Sequence, residues 1–191
     1  FDKANVSKKE LLAVSSKAFC VINDEIEDKM RASVEKARLD GDSVGGVIEC
    51  AVVGVPVGIG ANIFSTVEGH ISSALFGVPA VKGVEFGAGF DFAKMTGYEA
   101  NDTYSISNGN VKINKNNNGG VLGGMTTGAP IIVRAVVKPT PSISKAQKSV
   151  NLQKMTEEEL VIHGRHDPCI VPRAVPVVES AVAFALLDLM A

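Results

Sequence analysis

Arg165, His166, Asp167 and Cys169 put a fixed cation, an imidazole, a carboxylate and a thiol within Gly164-Arg165-His166-Asp167-Pro168-Cys169. A guanidinium presents a planar fork suited to phosphate or carboxylate. A carboxylate beside it can exchange a proton with a ligand, or serve only as the cap of a following helix. Pro168 ends the run, and from about Val171 the chain is almost wholly apolar to Met190. So dense a set of reactive groups next to an apolar helix suggests a site carried on a rigid support.

A second candidate is Lys138-Pro139-Thr140-Pro141-Ser142. Lys138 offers a mobile point charge and Thr140 and Ser142 offer hydroxyl donors, a set that suits a phosphate. The alternate prolines fix φ and hold those donors in an extended track before any ligand arrives. The same residues would also make an ordinary solvated strand end. Gly119, Gly120, Gly123, Gly124 and Gly128 form the densest glycine cluster. No Lys follows it as a P-loop requires and no Gly-x-Gly-x-x-Gly spacing occurs, so both nucleotide motifs fail. Taken alone, it reads as a plain loop. His163, His166 and Cys169 are spaced three apart, but zinc needs a fourth ligand and Cys20 and Cys50 have no local partners, so no metal is expected. His70, near the apolar stripe of its helix, reads as a hydrogen-bonded packing residue.

These groups must be positioned by the elements around them. Residues 24–39 carry Ile26, Met30, Val34 and Ala37 along one stripe, with Asn23 or Asp24 as N-cap, and predict an amphipathic helix. Residues 47–53 predict a strand closed by Gly54 and Pro56, and Val67, Ile71, Ala74 and Leu75 a helix stopped by Gly77 and Pro79. Residues 81–86 read as a short strand, and Asn108-Gly109 as a hairpin turn. Residues 131–137 are the clearest strand, with Ile131, Val133, Ala135 and Val137 on one side and Arg134 on a face that is wet or paired. Glu157 to Glu159 could open a short helix, and an apolar helix runs from about Val171. Hairpins rather than regular alternation separate strands from helices, which predicts an α+β fold with antiparallel sheets packed against helices.

The 191 residues suffice for one domain with a real core, or for a large part of a larger one. A hydrophobic content of 46% excludes a disordered chain. A formal net charge of -2 gives no electrostatic case for nucleic acid. Three cysteines suggest reduced thiols in a cytosolic setting. Residues 174–190 are short for a membrane span and carry Glu179 and Asp188, so a buried helix of a soluble protein is expected. Phe1 is not an initiator methionine and no signal peptide follows it, so the chain reads as an internal or C-terminal piece of something longer.

Several blocks, in order, resemble chorismate synthase. They are Gly41-Asp42-Ser43-Val44-Gly45-Gly46 with Gly54-Val55-Pro56-Val57-Gly58-Ile59-Gly60, then Pro79-Ala80-Val81-Lys82-Gly83-Val84-Glu85. Asn118-Gly119-Gly120-Val121-Leu122-Gly123-Gly124, the Lys138 to Ser142 track and the Arg165 segment with Val171 to Pro176 and Glu179 follow. The resemblance implies half of a β-α-β sandwich in which two antiparallel sheets enclose central helices, in a cytoplasmic homotetramer of the full-length protein. It implies the conversion of 5-enolpyruvylshikimate 3-phosphate to chorismate and phosphate, a 1,4-anti elimination in aromatic amino acid biosynthesis. That reaction is redox-neutral yet needs reduced FMN, and NADP is a nicotinamide associated with the family. By position the resemblance implies that Pro79, Ala80, Gly123, Lys138, Pro139, Thr140, Pro141, Ser142 and Arg165 contact FMN. Asp167 is implied near flavin N5, in a proton-handling role. The family's Gly-Glu/Asp-Ser-His and Ser-Ala/Gly-Arg motifs do not occur in this chain. Residues 1–191 are therefore expected to be the C-terminal portion of the enzyme, with residues 1–22 a peripheral lead-in, and to be inactive alone. The alternative is a non-catalytic flavin- or phosphate-binding domain, or an assembly domain.

Overall fold

β7 (Ile131–Val137) is the centre of the fold, because its alternating side chains are the most completely buried run of the chain. The computed structural model describes residues 2–61 and 63–191; Phe1, on which the expectation of an internal piece rests, lies outside them. β1 (Gly46–Val52) and β2 (Val81–Phe86) pair antiparallel with the two edges of β7, giving the order β1-β7-β2. Gly46 and Val81 both face Val137 across the ladders, and Val52 faces Ile131, so the sheet has a Val137 end and an Ile131 end.

One face of this sheet is covered by α3 (Val67–Phe76) and α5 (Val171–Met190). Val67, Ile71 and Leu75 on α3 and Val178, Val182, Ala185 and Leu186 on α5 recur at helical spacing. They close on Ile131, Val133, Ala135 and Val137. Burying each of the large side chains is worth about 1.5–3 kcal/mol before the cost of ordering it. The helices run antiparallel, and His70 Nε2 lies 2.9 Å from Asp188 Oδ2 where the start of α3 meets the end of α5. His70 is thus the hydrogen-bonded packing residue the sequence suggests. The other face mixes apolar residues such as the buried Ile132 with ion pairs: Arg134 Nε sits 2.9 Å from Glu85 Oε1, and Lys3 Nζ bonds Glu49 Oε2 at 2.8 Å.

The outer elements are hairpins and caps. α1 (Lys8–Ser15) begins in a capping box in which Ser7 and Glu10 satisfy each other's backbone N–H groups. α2 (Asp24–Leu39) has the expected Asn23 cap, but only Ala37 of its apolar stripe is buried. Its stability is local, from an acidic first turn, a basic last turn and the Glu27–Arg31 and Glu35–Arg38 pairs. After the short α4 (Gly97–Ala100), β3 (Tyr104–Ser107) and β4 (Asn110–Ile113) form the hairpin expected at Asn108-Gly109. β5 (Val121–Leu122) and β6 (Met125–Thr126) form another, so the glycine cluster is not a plain loop. Gly123 and Gly124 both take positive φ, 59° and 82°, as a two-residue hairpin turn needs.

The expectation of a helix at Glu157 to Glu159 is overturned. β9 (Thr156–Leu160) pairs with β8 (Gln147–Asn151), setting Lys148 opposite Glu159 and Val150 opposite Glu157. The glutamates favour a helix by local propensity, but pairing with β8 decides the segment and sets Lys148 opposite Glu159. The three-stranded antiparallel sheet packs against helices and the other strands form antiparallel hairpins, so the α+β expectation holds. Among the described residues no helix is long and apolar enough to cross a membrane.

Candidate functional site

Most of the residues singled out from the sequence meet at the Val137 end of the sheet. β7 delivers Lys138 there and β2 starts from Pro79 and Ala80, and the Lys138 N–H donates to the Ala80 carbonyl at 2.9 Å. Ala80 holds φ at 74°, a conformation an L-residue rarely adopts, in the turn that brings α3 into β2. Beyond Lys138 the 138–142 track leaves the sheet. Lys138, Pro139 and Pro141 are exposed and Thr140 and Ser142 half-buried. The Lys138 ammonium has no ion-pair partner among the described residues. The Thr140 hydroxyl oxygen is buried and has no hydrogen-bond partner among them either.

The 164–169 segment reaches the same end from the opposite direction. α5 starts against the sheet, since a Cβ at Gly46 would lie 3.2 Å from Val171 Cγ2. Its N-cap, Ile170, supplies no capping side chain, and Pro172 occupies the first turn. Asp167 is therefore not the side-chain cap of α5. One carboxylate oxygen accepts the Cys169 N–H at 3.3 Å and the other pairs with Arg173, one turn into the helix. His166 Nε2 lies 2.9 Å from the Ile162 carbonyl, which occupies the imidazole in shaping the loop. Arg165 is exposed and has no ion pair among the described residues.

The block at 41–46 joins the two segments, and the sequence gives it no role. Ser43 Oγ donates to the Thr140 carbonyl at 2.6 Å and the Val44 N–H to the Pro168 carbonyl at 2.8 Å. Asp42 bonds the Lys145 ammonium at 2.7 Å, which with the Ser43 N–H holds its carboxyl below the usual carboxylate range. The result is an end of the sheet with two cations that have no ion pair among the described residues, Lys138 and Arg165, a hydroxyl with no partner among them, and the positive terminus of a 20-residue helix.

Gly123 is not part of this gathering. Its hairpin sits at the Ile131 end, where the Gly124 carbonyl accepts the Val67 N–H at 3.0 Å and Thr126 bonds the 56–59 loop. A seven-residue strand separates the two ends by roughly 20 Å. A shallow polar cavity of about 320 Å³ opens on the face bearing Arg134, and Lys3, Asp91 and Asn116 help to line it. Three of its charged groups are already paired, Arg134 with Glu85, Lys3 with Glu49 and Asp91 with Lys94, while Asp2 and Lys115 also line it. Among the described residues no group of three or more His, Cys, Asp or Glu could hold a metal ion.

A family model described as chorismate synthase matches residues 4–191. The chain belongs to the chorismate synthase family. The chorismate synthase of Korarchaeum cryptofilum is 51% identical over 166 residues, covering 87% of this chain and 46% of that protein. That of Thermococcus gammatolerans is 51% identical over 183 residues, covering 96% and 51%. That of Thermococcus kodakarensis is 50% identical over 186, covering 97% and 52%. The fold is similar to a crystal structure of chorismate synthase, with a TM-score of 0.74, 29% identity and coverage of 95% of this chain and 48% of that one. The chain thus spans about half the length of the chorismate synthases it matches.

Proposed function

We propose that this chain supplies the flavin- and phosphate-binding half of a chorismate synthase, a lyase that removes phosphate from 5-enolpyruvylshikimate 3-phosphate. The observation that carries the proposal is that the 41–46 block ties the track bearing Lys138 and Thr140 to the loop bearing Arg165, none of the three having an ion-pair or side-chain partner among the described residues. These groups suit FMN, whose phosphate needs fixed positive charge and donors. The Ala80 carbonyl accepts the Lys138 N–H, which sets the 79–80 turn beside the start of the track. When bound in its reduced form, FMN supplies an electron-rich ring that assists departure of the allylic phosphate.

The chain's own residues bind and orient. Lys138 neutralises phosphate charge, and the prolines on either side of Thr140 keep its donors extended, so little order is lost on binding. Arg165 offers the bidentate fork and α5 its N-terminal field. Asp167 is held by Arg173 and the Cys169 N–H, and with FMN bound it would carry a proton at the flavin edge. The elimination also requires groups that bind the substrate and protonate the flavin, which the family places in motifs this chain lacks. The 191 residues alone are therefore expected to be inactive.

Exposed apolar surface supports the completed sandwich and an assembly. Phe184 and Leu187 on the outer stripe of α5 are 71% and 65% exposed. Patches of that kind mark surfaces built to be covered. In this reading the rest of the enzyme lies against α5, residues 1–22 are a peripheral lead-in, and the full-length protein is a homotetramer. Free Cys20, Cys50 and Cys169 fit a reducing, cytoplasmic setting. The test is equilibrium binding of FMN to the full-length protein. Saturable binding that weakens in Lys138→Ala and Arg165→Lys is expected, and no flavin binding by the parent protein would overturn the proposal.

A further inference from the structure

The 41–46 block takes no part in the chemistry above, yet it touches both halves of the proposed site, the track by the Ser43 hydroxyl and the loop by the Val44 N–H. We infer that Ser43 and Gly45 are positioning residues, and that the strap they belong to sets the spacing between the 138–142 track and the Arg165–Asp167 loop. The inference rests on the flavin-site reading and adds to it the element that makes two distant segments one site.

Three contacts carry the inference. Ser43 Oγ donates to the Thr140 carbonyl at 2.6 Å across 97 residues of sequence, fixing the middle of the track by its backbone. The adjacent Val44 N–H donates to the Pro168 carbonyl at 2.8 Å, fixing the loop that carries Arg165 and Asp167. Gly45 then passes beneath the start of the track. A Cβ there would drive into the Val137 carbonyl oxygen and come within 3.0 Å of Pro139 Cδ and Pro139 N. The track can leave the sheet in this direction only because residue 45 has no side chain. On its far side the strap is held in turn, since the Gly41 carbonyl accepts the Ser144 N–H at 3.0 Å and Asp42 bonds Lys145.

The strap also holds the residue whose hydroxyl is free. Ser43 fixes the Thr140 carbonyl, and the buried Thr140 hydroxyl oxygen has no partner among the described residues. Placement of that oxygen is thereby handed to the strap. A shift of the Thr140 backbone by a few tenths of an ångström moves a donor that a phosphate would use, without altering the helix–sheet core.

The experiment compares Ser43→Ala, Ser43→Thr and Lys138→Ala in the full-length protein, measuring FMN affinity and thermal unfolding. Loss of the one hydrogen bond in Ser43→Ala is expected to weaken FMN roughly threefold to tenfold. The unfolding temperature should be nearly unchanged, and Ser43→Thr, which keeps the donor, should recover most of the affinity. Parental affinity in Ser43→Ala, while Lys138→Ala weakens binding, would overturn the strap's role and leave the flavin site standing. A fall in stability and affinity together, not recovered by threonine, would make Ser43 merely structural and also overturn it. If neither Ser43→Ala nor Lys138→Ala changes FMN affinity, or the parent protein binds none, the flavin-site reading falls and takes this inference with it.

Discussion

Asp167→Asn in the full-length protein separates chemistry from structure, because the two readings of this residue differ in size as well as kind. Its carboxylate pairs with Arg173, and the two side chains are 30% and 75% exposed. An ion pair so open to water contributes no more than about 1 kcal/mol to stability. The second contact, with the Cys169 N–H at 3.3 Å, is one that an asparagine oxygen keeps. Unfolding should therefore shift by no more than about 2–4 °C for a protein of this size class. If Asp167 moves a proton, turnover should fall by roughly 10²–10⁴-fold, equivalent to about 2.7–5.5 kcal/mol of barrier. The assay is steady-state chorismate release with reduced FMN, beside thermal unfolding and FMN titration of the same preparations. Near-parental turnover would reduce Asp167 to the partner of Arg173 and refute the catalytic role.

Lys138→Ala should weaken FMN by roughly 10–150-fold through loss of a charge-assisted contact. Stability should hardly change, because the strand end is anchored by the Lys138 N–H to Ala80 and not by the ammonium; equilibrium flavin titration checks it. Cys50 faces the core of β1, where burial first and the negative charge of Glu179 second push its thiol up to about 11. Timed alkylation with mass spectrometry at about pH 8 should modify Cys20 and Cys169 well before Cys50. The lowered Asp42 carboxyl gives its tie to Lys145 a pH window. The folded value lies below the unfolded one of about 3.9, so the contribution is present above that pH and lost as pH falls through the folded value. Lys145, raised by the same bond, gives it up only on the alkaline side of its ordinary range near 10.4. Parent and Asp42→Asn unfolding curves should differ near neutral pH and converge in strong acid.

What the sequence revealed followed local chemistry. β7 was legible from its apolar side at alternate positions, α2 from its Asn23 cap and the β3–β4 hairpin from Asn108-Gly109. α1 went unread although Ser7-x-x-Glu10 followed by Leu11-Leu12-Ala13-Val14 is a capping-box signature before an apolar run. β9 was misread because three glutamates have better helix than strand propensity, and only pairing with β8 reverses that preference. The candidate site divides the same way. Lys138, Thr140, Arg165 and Asp167 stand out by residue type. That Ser43 and Val44 bind the two segments together is a contact across roughly a hundred residues, and no local spacing encodes it. The same limit hid the roughly 20 Å between Gly123 and the other residues of its set.

The most direct test of the account is chorismate formation by the full-length protein from 5-enolpyruvylshikimate 3-phosphate, with and without reduced FMN, beside the same assay on residues 1–191. Turnover by the full-length protein only when reduced FMN is present, and none by residues 1–191, is the expected result. Turnover by the full-length protein without flavin, or chorismate release by the 191 residues alone, would contradict it.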